Sequence, residues 1–157
     1  MPRYFINIGS NLGNPALNIS RAVRKIEEAF GYFEISHIVE SEPFGFDSTN
    51  LFKNVAIMVI SDLEPEAMLT TLQKIEKEIC PDSHRTPDGA YADRVIDIDI
   101  MAADEMTVDS PTLKIPHPGL PDRRFFLEPM EELAPAWRHP LTGLSPREML
   151  DKLSVKE

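Results

Sequence analysis

Arg94-Val95-Ile96-Asp97-Ile98-Asp99-Ile100-Met101 is the stretch that decides the fold. Ile96, Ile98 and Ile100 alternate with Asp97 and Asp99, which is the two-residue period of a β-strand with one apolar and one polar face. The isoleucines fix the register, because a slip of one residue would drive both carboxylates into the core. Two residues of strand rise set the aspartates about 7 Å apart at their bases. At an effective dielectric of about 20, such a pair repels by roughly 2 kcal/mol. A divalent cation between or beside the carboxylates removes that repulsion, and hard oxygen donors suit Mg²⁺. A bare solvated strand face is the other reading of the same pattern.

Working outward, residues 80–93 before this strand read as a polar loop with two prolines and a glycine, long enough to suggest function. Basic residues gather around the strand in sequence: His84, Arg85, Arg94, Lys114, His117, Arg123 and Arg124. Cations beside a carboxylate pair make sense if a polyphosphate bridges them, since arginine donates in pairs to phosphate oxygens. No Walker A sequence and no G-x-G-x-x-G occurs, so a bound nucleotide is not held by those cradles.

Towards the N-terminus, residues 4–8 read as a first strand closed by the turn Gly9-Ser10-Asn11-Leu12-Gly13. Asn14 is set as a helix cap and Pro15 as the first helical residue, and Gly31 ends that helix. Strands are expected at about 33–40 and 52–60, the second apolar on both faces and therefore central. A helix from Pro65 carries Met68, Leu69, Leu72, Ile75 and Ile79 on one side. Beyond the paired aspartates come a turn, the segment Leu113-Lys114-Ile115-Pro116-His117-Pro118, and a short helix near 129–134. A last helix opens with the capping pair Ser145 and Glu148. The order β-α-β-β-α-β with C-terminal additions is the ferredoxin-like α+β plan, an antiparallel sheet with packed helices.

The chain of 157 residues is expected to form one domain over 1–157. Its formal charge of -10 argues against nonspecific nucleic-acid binding, which needs a basic footprint. No apolar run approaches the roughly 18 residues of a membrane span, and the N-terminus lacks a signal-peptide pattern. A single cysteine, Cys80, reads as a spectator thiol and fits a reducing cytoplasm.

With these motifs in view, the chain resembles the 6-hydroxymethyl-7,8-dihydropterin pyrophosphokinases of folate biosynthesis. The matching segments are Gly9-Ser10-Asn11-Leu12-Gly13, Glu42-Pro43-Phe44-Gly45, Phe52-Lys53-Asn54, Arg94-Val95-Ile96-Asp97-Ile98-Asp99-Ile100, and Ile115-Pro116-His117-Pro118 with Arg123-Arg124-Phe125. They stand in family order over about 150 residues, and the arginine-led D-x-D strand followed by P-H-P is the specific combination.

The resemblance implies diphosphate transfer from ATP to the pterin hydroxymethyl oxygen, with two Mg²⁺ ions held by Asp97 and Asp99. It implies that Arg85 and Arg94 act on the phosphates from the loop side, with His84 able to share the role of Arg85. Gln73, Glu76, Ile98, His117 and Arg123 would contact ATP. The pterin would meet Ser41, Phe44, Phe52, Asn54, Tyr91 and Phe125, with Tyr91 and Phe125 stacking and Asn54 reading the ring edge. Tyr91 stands where many members carry tryptophan, and Ala90 where some are basic. The expected partners are ATP and the pterin alone, without nucleic acid or membrane, and the expected state is a monomer. A noncatalytic ferredoxin-like binding or regulatory module is the alternative; a D-x-D sugar transferase is disfavoured, because those enzymes carry the motif on a loop of a larger domain.

Overall fold

A computed structural model describes residues 1–41, 51–81 and 95–156. The elements in order are β1 (Arg3–Ser10), α1 (Pro15–Phe30), β2 (Phe33–Ile35), β3 (Val39–Ser41), β4 (Phe52–Ile60), α2 (Pro65–Ile79) and β5 (Asp97–Ala103), followed by β6 (Val108–Asp109), β7 (Lys114–Ile115), a 3-10 turn (Leu120–Asp122), α3 (Arg124–Leu133) and α4 (Pro146–Lys156). The main sheet runs β2-β4-β1-β5, with β3 beside β4, and every pairing in it is antiparallel. That is the ferredoxin-like arrangement.

Side-chain alternation divides the sheet between two cores. Tyr4, Ile6 and Ile8 of β1, Val55, Ile57 and Val59 of β4, and Ile98 and Ile100 of β5 pack under α1 and α2. Phe5, Ala56, Met58 and Met101 face the other way, against Phe126, Leu127 and Met130 of α3, Trp137, and Met149 and Leu150 of α4. The C-terminal additions therefore form a third layer, and the polar face of β5 belongs to their side of the sheet.

The local signals of the sequence hold at the helix ends. The Asn14 side chain accepts from the Leu17 N–H, Pro15 opens α1, and Gly31 closes it at φ 79°. Ser145 and Glu148 cap α4 reciprocally: the Glu148 N–H donates to Ser145 Oγ at 3.2 Å and the Ser145 N–H to Glu148 Oε1 at 3.0 Å.

Three elements depart from expectation. β1 runs on through Gly9 to Ser10 because β4 and β5 both pair with it there. The strand expected at 33–40 is two short ones along the same edge of β4. At the break, Ser36 Oγ accepts the Ala56 N–H at 2.9 Å in place of a backbone carbonyl, while the turned-out His37 N–H bonds the Glu132 carboxylate of α3. The helix expected near 129–134 begins at Arg124 and carries Pro129 inside it.

Candidate active site

Strand register builds the centre of the site. Asn54 of β4, Gly9 of β1 and Asp97 of β5 lie in one row across the sheet, and Ala56, Asn7 and Asp99 in the next. Directly opposed residues share a face, so Asp97, Asp99, Asn7 and Asn54 all point to the α3 side. Two strand spacings put the backbones of Asn54 and Asp97 about 10 Å apart. The Asn54 side chain lies over Gly9 itself: a Cβ built there would come within 2.6 Å of Asn54 Oδ1. The row thus sets a carboxylate and an amide on either side of a glycine, all on one face of the sheet.

Asp97 is 9% exposed and Asp99 is half-buried. A carboxylate at that depth keeps its charge only with cations or donors close by. Among the described residues, no three His, Cys, Asp or Glu side chains gather as a metal cluster. Two carboxylates on one strand face are hard oxygen donors of the kind that suit Mg²⁺.

Asn54 Nδ2 lies 3.4 Å from Ser41 Oγ, and Ser41 pairs with Phe52 across β3 and β4. Three of the expected pterin contacts are thereby gathered at one sheet end. On the facing side, Phe125 meets Phe126 edge-on at 5.1 Å, and the Arg123 guanidinium lies 5.9 Å from the Phe125 ring and 5.2 Å from the Phe126 ring. Arg123 is folded over the turn before it, so closely that a Cβ at Gly119 would fall 2.5 Å from its Nε. His117 joins the same cluster, edge-on to Phe126 at 5.0 Å. Its Nδ1 accepts the Gly119 N–H at 2.9 Å, which leaves Nε2 as the nitrogen that carries the proton in the neutral ring.

A cleft of about 640 Å³ opens at the outer edge of β5, between α2 and residues 110–118. Gln73, Glu76, Ile98, Asp99 and His117 line it, so the structure brings together five expected site residues there, while among the described residues Asp97, Arg123, Ser41, Phe52, Asn54 and Phe125 do not line it. Asp99 lines the cleft and stands one row along the same sheet face from Asp97. Glu76 is partly committed to the fold: its Oε2 accepts the backbone N–H of Ile98 at 2.7 Å. Lys77, Cys80 and Lys114 also line the cleft. Lys114 pairs with Asp109, whose carboxyl it holds below the usual range. Cys80, read from the sequence as a spectator, stands on the cleft wall. Arg85, Arg94, Phe44 and Tyr91, with His84 and Ala90, fall outside the described residues.

Sequence reasoning missed Asn7 and the role of Gly9. Asn7 had a visible signal, as the one polar residue within the apolar run of residues 4–8. Gly9 had none, because its neighbours come from β4 and β5.

Comparison with known proteins follows the same lines. The profile of the family described as 7,8-dihydro-6-hydroxymethylpterin-pyrophosphokinase matches residues 5–135. The chain is 36% identical over 138 residues to a 2-amino-4-hydroxy-6-hydroxymethyldihydropteridine pyrophosphokinase of Porphyromonas gingivalis, covering 87% of this chain and 92% of that protein. The corresponding protein of Aquifex aeolicus is 33% identical over 141 residues, covering 90% of this chain and 86% of its own length. A folic acid synthesis protein of Pneumocystis carinii is 34% identical over 150 residues, which cover 95% of this chain but only 20% of that protein. Among solved structures, Plasmodium falciparum HPPK-DHPS superposes over 99% of this chain with a TM-score of 0.76 at 13% identity. The chain spans 45% of that one, and the likeness speaks for the fold.

Proposed function

The chain belongs to the 7,8-dihydro-6-hydroxymethylpterin-pyrophosphokinase family, and from that premise we propose how its side chains divide the reaction. The enzyme transfers diphosphate from ATP to the hydroxymethyl group of 6-hydroxymethyl-7,8-dihydropterin and releases AMP, a step of folate synthesis. The alcohol oxygen bonds to the β-phosphorus and gives up its proton, while the bond from that phosphorus to the α,β-bridging oxygen breaks and AMP leaves with the electron pair.

The observation that carries the assignment is Asp99, which lines the cleft and stands two residues along β5 from Asp97, on the sheet face that also carries Asn54. The cleft takes ATP, with Gln73, Glu76 and Ile98 towards the adenosine half. The pterin lies at the sheet end of Asn54 and Ser41, with these two at the ring edge and Phe125 on a ring face. Phe44, Phe52 and Tyr91 complete that pocket. The two-carboxylate donor set fits Mg²⁺. Asp97 and Asp99 would hold two such ions, which when bound neutralise the triphosphate and favour in-line displacement. His117 offers its Nε2–H to a phosphate oxygen, and Arg123, Arg85 and Arg94 add cationic donors. The proposal takes residues 1–157 as one domain, working as a monomer in the cytoplasm. No helix among the described residues is long and apolar enough to cross a membrane.

The test is to incubate protein, ATP, Mg²⁺ and the pterin alcohol and to follow AMP. Pterin-dependent AMP is expected, and Asp97→Asn should remove it while the melting temperature stays within a few degrees. ADP as product would overturn the reaction. ATP left intact in the presence of pterin would instead favour a noncatalytic binding module. An active Asp97→Asn enzyme would overturn the metal assignment alone.

A further inference from the structure

Two features that look unfavourable in isolation cancel each other 122 residues apart. Pro129 lies inside α3 and has no N–H, so the carbonyl four residues earlier, that of Phe125, loses its intrahelical donor. Asn7 lies in the central strand β1, only 2% exposed, where a polar side chain is costly unless it is bonded. Asn7 Nδ2 donates to the Phe125 carbonyl at 2.9 Å. An acceptor at that point also settles which end of the amide faces it, since only the nitrogen can donate.

The bond joins three parts of the site. Asn7 is the register partner of Asp99, and Phe125 lies two residues after Arg123, in the first turn of α3. We propose that Asn7 is a positioning residue for the pterin, replacing the N–H that Pro129 lacks and holding the backbone of Phe125 to the strand floor beside Asp99. This rests on the reading of Phe125 as a ring-stacking residue. Asn7 itself touches no substrate in this account; it acts through Phe125.

The experiment is a double-mutant cycle between Asn7→Leu and Pro129→Ala, read as KM for each substrate with melting temperatures alongside. Leucine keeps the branching at Cγ and removes the donor. Asn7→Leu should raise KM for the pterin about fivefold, the worth of one net hydrogen bond, and leave KM for ATP within about twofold. Pro129→Ala restores an N–H that can reach the Phe125 carbonyl. In that background the effect of Asn7→Leu on the pterin should shrink to less than about twofold. Asn7→Ala provides a second route should the leucine variant fail to fold, with the same expected rescue by Pro129→Ala.

Equal changes in both KM values, or an Asn7 effect undiminished by Pro129→Ala, would reduce Asn7 to a structural residue and overturn the proposal. Phe125→Ala separates this failure from that of the underlying reading. If Phe125→Ala leaves the pterin KM unchanged, stacking by Phe125 is wrong and the proposal falls with it. If Phe125→Ala raises the pterin KM and Asn7→Leu does not, the proposal alone is wrong.

Discussion

At the scale of single residues, the site is defined as much by a missing side chain as by those present. Gly9 separates Asp97 from Asn54, and a methyl group there would meet Asn54 Oδ1 before it met any backbone. Gly9→Ala should therefore displace a side chain rather than a strand, at a stability cost of about 1 kcal/mol, the low end for inserting a methyl group into a packed site. The pterin KM should rise well beyond that of ATP, as steady-state kinetics with each substrate varied in turn would reveal. An unchanged pterin KM would remove Asn54 from the ring edge. Asp97 and Asp99 were legible from the alternation of one strand, which carries its facing within itself. Gly9 and Asn7 were not, because what they do depends on the strands laid on either side.

At the scale of elements, the paired aspartates are held in place from the helix behind them. Glu76 of α2 accepts the N–H of Ile98, the residue between the two carboxylates, so helix and strand are locked at that level. Glu76→Ala should speed hydrogen exchange at the Ile98 amide at least tenfold and cost about 1.5–3 kcal/mol, the range for a hydrogen bond to a charged group. Glu76→Gln keeps an oxygen acceptor and should retain most of the protection. Equal exchange in both variants and the parent would mean that the bond does not contribute. The sequence placed Glu76 near the nucleotide from resemblance alone, and this second task was invisible in it. Element ends were legible where local chemistry sets them, as at Asn14, Gly31, Ser145 and Glu148. They were not where a distant partner decides: Ser36 breaks an edge strand by bonding Ala56, and Asn7 lets α3 start ahead of Pro129.

At the scale of the molecule, the C-terminal layer closes the face of the sheet that carries the site, and His139 is part of its fastening. His139 is buried; its N–H donates to the Leu144 carbonyl, and its Nδ1 accepts the Leu141 N–H at 3.2 Å. Burial holds the imidazole below its usual 6.5. The unfolded chain therefore takes up this proton first as pH falls, so the residue has no pH effect well above 6.5 and destabilises the fold progressively below it. Urea midpoints measured from pH 7.5 to 5 should fall less steeply for His139→Gln than for the parent. Parallel curves would show that the ring is free to protonate in place. The ferredoxin-like plan itself was legible because it follows from element order, and the third layer was not, since no local pattern says which face additions will cover. The lock between α2 and β5 has one more consequence, for how copies of the chain behave in company. β5 ends the sheet, and an end strand offers unpaired backbone groups to any other strand. Here Glu76 takes the N–H of Ile98, the His117 N–H donates to the Met101 carbonyl, and the strand at the opposite end, β2, is three residues long. The bond that steadies the strand of the paired aspartates is thus also a guard against edge-to-edge aggregation, and losing it should show in concentrated solution as well as in turnover.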